Sequence, residues 1–272
     1  MTVEQLGRRI GLPDDGILCA ERMLPPEEET RRMLRLLEED EASFLKELRS
    51  SGAPDQLALA LFMRYAAEQV PRWLQQGLTE TVCYDTFRDI TLWYRECVRQ
   101  TGLAGVVEWD WLILPLKGRL YRLGRLQYQP GTLRETVCAG GRTFVGGAAV
   151  LNVHIPADGK LERDAVADSL QQARDFFHEG GYRLFHCHSW LLSPALRDIL
   201  GSTSNILSFQ EFFQVYDEDF SYRQAEERVF GRIGEHPEEY PERTSLQKAL
   251  KQYLLAGKKV GLGKGVIPFE EP

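Results

Sequence analysis

The sequence of 272 residues has no long hydrophobic run and no excess of positive charge. No apolar segment approaches the roughly 20 residues that a helix needs to cross a bilayer, and the first residues lack the apolar centre of a signal peptide. A formal net charge of −7, with basic residues scattered among acidic ones, would repel a phosphodiester backbone. We therefore expect a cytoplasmic protein that binds neither membrane nor nucleic acid.

Cysteine is scarce and never forms a short paired motif. The five cysteines are Cys19, Cys83, Cys97, Cys138 and Cys187. An odd number of widely spaced cysteines without a C-x-x-C pair does not indicate a disulfide framework. We expect reduced thiols with mostly structural roles.

Helical periodicity fills the first part of the chain. Apolar residues from Leu34 to Leu48 recur at three- and four-residue steps and predict one surface helix that stops at residues 51–54. Further helices are predicted over residues 55–67 and 79–100. These patterns predict an all-helical N-terminal domain over residues 1–105.

Alternation with a period of two residues begins later in the chain. Residues 121–129 alternate and are followed by Pro130-Gly131, which predicts a hairpin whose second strand covers residues 133–138. The chain then enters a central strand over residues 148–155. The sequence thus predicts three antiparallel strands.

A helical crossover follows the central strand. Residues 162–179 have a helical pattern, and residues 182–192 form another strand, which a crossover connection makes parallel to the central one. The later elements are predicted as a short helix at 194–200, a strand at 205–215, helices at 222–230 and 244–255, and a strand at 260–268. The predicted class is α+β, with a mixed, mostly antiparallel sheet over residues 106–272.

The segment from Val150 to Lys160 is the most informative one. It is a buried strand that stops at Pro156, turns at Gly159 and continues into a helix. Proteins of the α/β type present ligand-binding backbone at such places. The loop is therefore a candidate anion site.

This order of elements resembles the GNAT acyltransferase fold. The segments Gly118 to Tyr128, Leu151 to Pro156, Cys187 to Leu192 and Ser204 to Ile206 are similar to bacterial proteins that pair a helical N-acyltransferase N-terminal domain with a GNAT-like C-terminal domain. The resemblance implies an acyl-CoA-dependent acyltransferase. The favoured mechanism is direct attack by an amine of a small-molecule acceptor.

The resemblance also implies where coenzyme A binds. In the GNAT fold the central strand and the next parallel strand diverge, the pantetheine arm adds between them, and the pyrophosphate meets the start of the crossover helix. The residues expected to bind the cofactor are Asn152, Val153, His154, Ile155, Gly159, Lys160, Leu161 and Ser189. The usual arginine-x-x-glycine-x-glycine loop is missing, because residues 156–161 read Pro-Ala-Asp-Gly-Lys-Leu.

Three residues are candidates for acid or base catalysis. His154 and His188 are candidate bases, and the period of two places His186 on the same side of its strand as His188. Tyr128 is a candidate acid toward the departing thiolate. The structural alternatives are a His154 ring that satisfies a nearby backbone carbonyl, a Tyr128 ring at a sheet edge and a Ser189 hydroxyl that caps the next turn.

Two other functions stay open from the sequence. His154, His186 and His188 could ligate iron or zinc, although the favoured interpretation contains no metal site. The protein could also bind coenzyme A without catalysis, since a fold does not fix a function. The oligomeric state, including a homodimer, is left open.

Overall fold

The computed structural model describes residues 1–269 and divides the chain into two compact units. The first unit comprises Met1–Leu123 together with Pro156–Asp158, and the second comprises Gly124–Ile155 and the residues from Gly159 onward. The first boundary between the two units therefore follows Leu123. The domain boundary at residues 105–106 stays a prediction.

Helices make up most of the first unit. They are α1 (Val3–Ile10), α2 (Asp14–Arg22), α3 (Glu27–Glu39), α4 (Glu41–Arg49), α5 (Pro54–Gln75), α6 (Glu80–Thr101) and α7 (Trp109–Leu116), followed by the short strand β1 (Tyr121–Leu123). The hydroxyls of Thr2 and Thr79 accept backbone hydrogen bonds at the starts of α1 and α6. The prediction of a helical N-terminal region is confirmed.

The apolar stripe from Leu34 to Leu48 belongs to two helices, so the prediction of a single helix was wrong. Asp40 lies between them with a non-helical backbone. Its carboxylate accepts hydrogen bonds from the Ser43 amide at 3.1 Å and from the Ser43 hydroxyl at 2.6 Å. Such a side chain offers the backbone an alternative to a continuing helix and starts a new one.

The second unit combines a mixed sheet with helices. Its elements are β2 (Leu126–Thr132), β3 (Val137–Ala139), β4 (Arg142–Phe144), β5 (Ala149–His154), α8 (Arg163–Phe176), β6 (Leu184–Ser189), α9 (Leu196–Ile199), α10 (Asn205–Gln210), β7 (Gln214–Asp219), α11 (Gln224–Phe230), α12 (Ser245–Leu255) and β8 (Leu262–Pro268). Five of these strands lie side by side in the order β2-β5-β6-β8-β7, and β3 and β4 form a separate two-stranded sheet. Strands β5 and β6 are parallel, and the other neighbours are antiparallel. The predicted α+β class, with α8 as the crossover helix, is confirmed.

The two faces of this sheet differ in polarity. One face packs on α8, where the Ser169 hydroxyl accepts a hydrogen bond from the Leu126 amide at 3.0 Å and lies 2.9 Å from the hydroxyl of the fully buried Tyr128. On the other face, β3 and β4 contribute Val137 and Phe144 to a small apolar cluster. The rest of that face is polar and forms the candidate site described below.

The predicted hairpin was wrong in its turn and in its pairing. Strand β2 begins only at Leu126 and continues through Pro130-Gly131, which pair with β5. Gly131 makes no turn, because it lies within strand β2. The glycine leaves room for Asn152, since a Cβ on Gly131 would lie 2.4 Å from the Asn152 side-chain nitrogen. Residues 133–138 do not form the second strand, since β2 pairs directly with β5 while β3 and β4 pair with each other.

The segment over residues 205–215 was wrongly predicted to be a strand. Residues Asn205–Gln210 form α10, whose start is capped by the Ser204 hydroxyl accepting from the Ile206 amide at 3.2 Å. The strand of this region, β7, begins only at Gln214. A serine N-cap outweighed the strand-like composition of the segment.

Within residues 1–269, every helix is too short or too polar to cross a membrane. All five cysteines are free thiols.

Candidate active site

Strands β5 and β6 pair over only part of their length. Their parallel register ends at Asn152 opposite His186, although β5 continues to His154 and β6 to Ser189. The outer edges of both strands stay paired, with β2 and β8 respectively. The facing edges therefore open at the carboxyl ends of the two strands, and we call this opening, between residues 153–154 and 187–189, the wedge.

Imidazole and amide side chains gather on the polar face beside the wedge. The strand pleat places Asn152 and His154 of β5, and His186 and His188 of β6, on that face. The residue between the two β6 histidines, Cys187, points to the α8 side and is fully buried. This arrangement of side chains is the one that the two-residue period predicts.

His154 is held by a neighbouring strand. Its Nε2 lies 3.0 Å from Gln129 Oε1 of β2, and because a carbonyl oxygen accepts, this nitrogen carries the proton. Burial, with a smaller effect of His186, lowers the pKa of His154 to about 4. The ring is therefore uncharged at neutral pH and satisfies a side-chain amide, which resembles the structural alternative. Its role as a base stays a prediction.

His186 has both ring nitrogens in hydrogen bonds. Nδ1 lies 3.0 Å from Asn152 Oδ1, and Nε2 lies 3.2 Å from the Tyr216 hydroxyl. Burial lowers the pKa of His186 to about 4. The ring thus connects β5, β6 and β7 as a neutral donor and acceptor.

His188 is the most exposed of the three histidines. Its side chain is 37% exposed, and its Nε2 lies 3.8 Å from Asp219 Oδ2. Burial lowers the pKa of His188, while the negative charge of Asp219 opposes that change. The ring stands at the wedge, is open to solvent and has a carboxylate beside one nitrogen. These are the features that a general base needs.

Tyr128 lies on the opposite face of the sheet. Its ring is fully buried, 5.5 Å from the ring of Phe185, and burial raises the pKa of its hydroxyl. The surroundings favour a packing role in contact with α8. The role of Tyr128 as an acid stays a prediction.

Ser189 and Cys187 are enclosed at the end of β6. The Ser189 hydroxyl accepts a hydrogen bond from the Leu191 amide at 3.2 Å, so it caps the following turn. Burial raises the pKa of the Cys187 thiol to about 12. A thiol of this kind is not a nucleophile at neutral pH.

The loop between β5 and α8, the candidate anion site, contacts an arginine side chain. Arg125 donates to the carbonyl oxygens of Lys160 at 2.8 Å and of Gly159 at 2.5 Å, which brings a guanidinium to the loop. Lys160 is exposed, whereas Leu161 is buried. Glu162, the residue before α8, makes no capping hydrogen bond with its side chain. The anion site at the first amides of α8 stays a prediction.

Sequence reasoning missed several partners of the candidate residues. Arg125, Gln129, Tyr216 and Asp219 were not among the predicted site residues. Gln129 could have been found, since the alternation of residues 121–129 already placed it on a strand. Tyr216 and Asp219 lie on β7 beyond the end of the wrongly predicted strand, and their positions depend on long-range pairing.

The histidines do not form a metal centre with their neighbours. Among residues 1–269, no three side chains of histidine, cysteine, aspartate or glutamate are grouped so that they could hold a metal ion. The ring nitrogens of His186 form hydrogen bonds with Asn152 and Tyr216, and His188 lies 3.8 Å from the Asp219 carboxylate.

Comparisons with protein families cover nearly the whole chain. Residues 1–118 match the family described as N-acyltransferase N-terminal domain, and residues 120–267 match the family described as GNAT-like C-terminal domain. The chain belongs to the GNAT-like family. It is an acyltransferase, and the implied fold and enzyme class are confirmed. A comparison with curated proteins finds no match.

Solved acyltransferase structures share the fold of this GNAT-like enzyme. One, an acyltransferase in complex with decanoyl-CoA and teicoplanin, is 23% identical with a TM-score of 0.79 over 98% of this chain and 88% of its own. Another, an acyltransferase in complex with decanoyl-CoA, is 25% identical with a TM-score of 0.69 over 99% and 100% of the two chains. The similarity extends over both units of the chain.

Proposed function

We propose that this enzyme transfers an acyl group from an acyl-CoA to an amine of a small molecule by direct attack. The observation that carries the proposal is the wedge, where the pairing of β5 with β6 ends at Asn152 opposite His186 although both strands continue. An extended chain with amide groups, such as pantetheine, can add to an open strand edge through backbone hydrogen bonds. The exposed His188 stands at the same opening.

The chemistry of the residues around the wedge fits coenzyme A. The backbone of Val153, His154 and Ile155 would bind the pantetheine arm. The last β5–β6 pair, Asn152 with His186, marks the inner end of the wedge. The backbone at Gly159, the Lys160 side chain and the first amides of α8 would hold the pyrophosphate. Of the other predicted cofactor residues, Leu161 and Ser189 are each 6% exposed, which limits them to shaping the site.

Acyl-CoA would supply the acyl group as a thioester. The amine nitrogen would attack its carbonyl carbon, so that the C–N bond forms and the C–S bond breaks, and the departing thiolate would take the proton that the nitrogen loses as the amide forms. His188 accepts the proton that the acceptor ammonium loses before the attack. The exposure of His188 supports it over His154 as the base. The buried position of Cys187 supports direct attack over a covalent acyl-enzyme.

The acceptor in this proposal is a small molecule that carries an amine. Of two solved acyltransferases of the same fold, one is in complex with decanoyl-CoA and teicoplanin and the other with CoA and 10C-teicoplanin. We also propose a cytoplasmic location, which the five free thiols support. A homodimer is the oligomeric state to be tested by sedimentation.

Incubation with decanoyl-CoA and teicoplanin, followed by mass spectrometry, tests the proposal. We expect teicoplanin to gain one decanoyl group. His188→Ala is expected to lower kcat by about 10²- to 10⁴-fold, whereas His178→Ala, at an exposed histidine of the same unit, is expected to leave kcat unchanged.

The outcomes separate the parts of the proposal. Full turnover by His188→Ala would show that another group is the base. Thermal stabilisation by decanoyl-CoA without transfer would show that the acceptor is wrong. No stabilisation by decanoyl-CoA would remove the wedge as a coenzyme A site.

A further inference from the structure

Strand β7 carries a β-bulge close to the candidate base. Val215 pairs with Gly265, but the next pair along the ladder joins Asp217 to Lys264, so that Tyr216 is an extra residue. Side chains alternate along a strand, and one extra residue therefore turns every later side chain to the other face of the sheet.

The bulge places Asp219 on the same face as His188. Lys264 is the cross-strand partner of His188 on one side and of Asp217 on the other, and Asp219 follows two residues after Asp217. Cross-strand partners and residues two apart share a face. Without the extra residue, Glu218 would take this position and Asp219 would point to the opposite face.

Glu218 fixes the bulged register from the opposite face. Its Oε1 accepts hydrogen bonds from the Ser193 hydroxyl at 2.5 Å and from the Gly261 amide at 3.1 Å. Gly261 leaves room for this side chain, since a Cβ there would lie 2.6 Å from the Glu218 Cγ. These contacts of Glu218 hold the register of the residues that follow the bulge.

Asp219 is itself held in one orientation. The Ser221 amide donates to its Oδ1 at 2.8 Å, and the Ser221 hydroxyl donates to its Oδ2 at 2.9 Å. These hydrogen bonds lower the pKa of Asp219, so the carboxylate is charged where it faces His188. Its Oδ2 lies 3.8 Å from His188 Nε2, a separation that a small rotation of the His188 side chain converts to a hydrogen bond while Asp219 stays in place.

We propose that Asp219 is a positioning residue for His188, oriented by the bulge so that His188 Nε2 carries its proton toward the carboxylate and Nδ1 is left to accept a proton. This inference rests on the proposed role of His188 as the base. In the step, one proton moves from the acceptor ammonium to Nδ1. Asp219 forms and breaks no covalent bond, and its charge stabilises the imidazolium.

Charged groups from three elements face His188. Asp219 and Asp217 of β7 raise the pKa of His188, whereas burial, Lys264 of β8 and Arg134 after β2 lower it. Asp219 has the largest effect among these charges. Asp217 differs in that it forms an ion pair with Lys264 at 2.8 Å. The two aspartates therefore provide a charge-matched comparison on one strand.

Titration of the histidine rings by NMR in the full-length protein tests the inference. The signal of His188 is assigned by its loss in His188→Gln. Asp219→Asn is expected to lower the pKa of His188, and Asp217→Asn is expected to lower it less. The NMR chemical shifts of the two ring nitrogens of His188 in the unchanged protein should show that the neutral ring carries its proton on Nε2.

Kinetics give the second readout, with decanoyl-CoA and teicoplanin as substrates. Asp219→Asn should move the acidic limb of the kcat/KM profile to lower pH and reduce kcat roughly tenfold. Ser221→Ala, which frees the carboxylate to rotate, should reduce kcat less, and it carries the test if Asp219→Asn does not fold.

Two results would overturn the inference. One is a His188 titration that Asp219→Asn leaves unchanged, or shifts no more than Asp217→Asn. The other is a neutral His188 with its proton on Nδ1. Because the NMR titration needs no turnover, an inactive wild-type protein would count against the proposed function and leave this test intact.

Discussion

At the scale of single residues, two half-buried imidazoles make the protein sensitive to acid. Burial lowers the pKa of His154 and of His186 to about 4 in the folded chain, against roughly 6.5 in an unfolded chain. Between these values the unfolded state binds more protons. The free energy of unfolding is therefore at its full value above pH 6.5 and falls as the pH decreases toward 4, by on the order of 1 kcal/mol per pH unit for each ring.

Urea unfolding at a series of pH values measures this dependence. His186→Gln removes one titrating ring and should make the free energy of unfolding less dependent on pH between about 4 and 6.5. His178→Gln, at an exposed histidine, should keep the dependence of the unchanged protein. A wild-type free energy of unfolding that stays constant over this range would contradict the prediction.

Single residues were predictable where strand alternation alone decides their position. The shared face of Asn152 and His154, and that of His186 and His188, followed from the pleat. Apart from Gln129, the side chains that set the chemistry of these rings were not predictable. Asp219 reaches His188 only because of the bulge in a strand whose bounds were predicted wrongly, and no local pattern in the sequence marks that extra residue.

At the scale of elements, two glycines of the second unit differ sharply in what they allow. A Cβ on Gly263 of β8 would lie 2.3 Å from the backbone oxygen of Leu192. The nearest atom to a Cβ on Gly159 is Arg125 Nε at 3.7 Å. Gly263→Ala should therefore lower the free energy of unfolding by on the order of 2 kcal/mol, and Gly159→Ala by less than about 0.5 kcal/mol.

Urea unfolding of both variants, compared with the unchanged protein, gives the two differences. Equal losses would show that β8 can move away from Leu192 and that the close approach is not a constraint. A large loss for Gly159→Ala would show a backbone requirement in the loop before α8 that neither its space nor its dihedral angles indicate.

Elements were predictable where periodicity and end signals agreed. The crossover helix, the parallel strand after it and the last strand were found close to their observed bounds. The errors arose where a local signal had another cause. Pro130-Gly131 looked like a turn, but Gly131 makes room for Asn152 within a strand. The capping side chain of Asp40 started a second helix within a pattern that predicted one, and that of Ser204 started a helix in a segment predicted as a strand.

At the scale of the whole molecule, the chain does not divide into units at a single point. Residues Pro156–Asp158 belong to the first unit, although the chain on both sides of them belongs to the second. The helical first part and the mixed sheet of the second part were predictable from the change in periodicity. The assignment of the loop Pro156–Asp158 to the first unit was not predictable, since it depends on a contact between Arg122 and Asp158, which lie far apart in sequence.

An ion pair within the first unit holds that returning loop. Arg122 Nη1 donates a hydrogen bond to Asp158 Oδ2 at 2.6 Å, and Arg122 Nη2 donates one to Asp158 Oδ1 at 3.1 Å. The two side chains are only 10% and 15% exposed. Removing one partner would leave the other charge buried, so we expect Arg122→Met to lower the free energy of unfolding by about 3 kcal/mol.

The double variant separates the pair from the rest of the packing. Arg122→Met with Asp158→Leu leaves neither charge behind, and its loss of stability should be clearly smaller than that of Arg122→Met alone, because replacing both charges by apolar groups removes the cost of a buried unpaired carboxylate. Urea unfolding followed by tryptophan fluorescence measures both values. If the double variant is as unstable as the single one, the loop is held by the shape of the Arg122 side chain and its other contacts, and the charge of Asp158 contributes little to its return to the first unit.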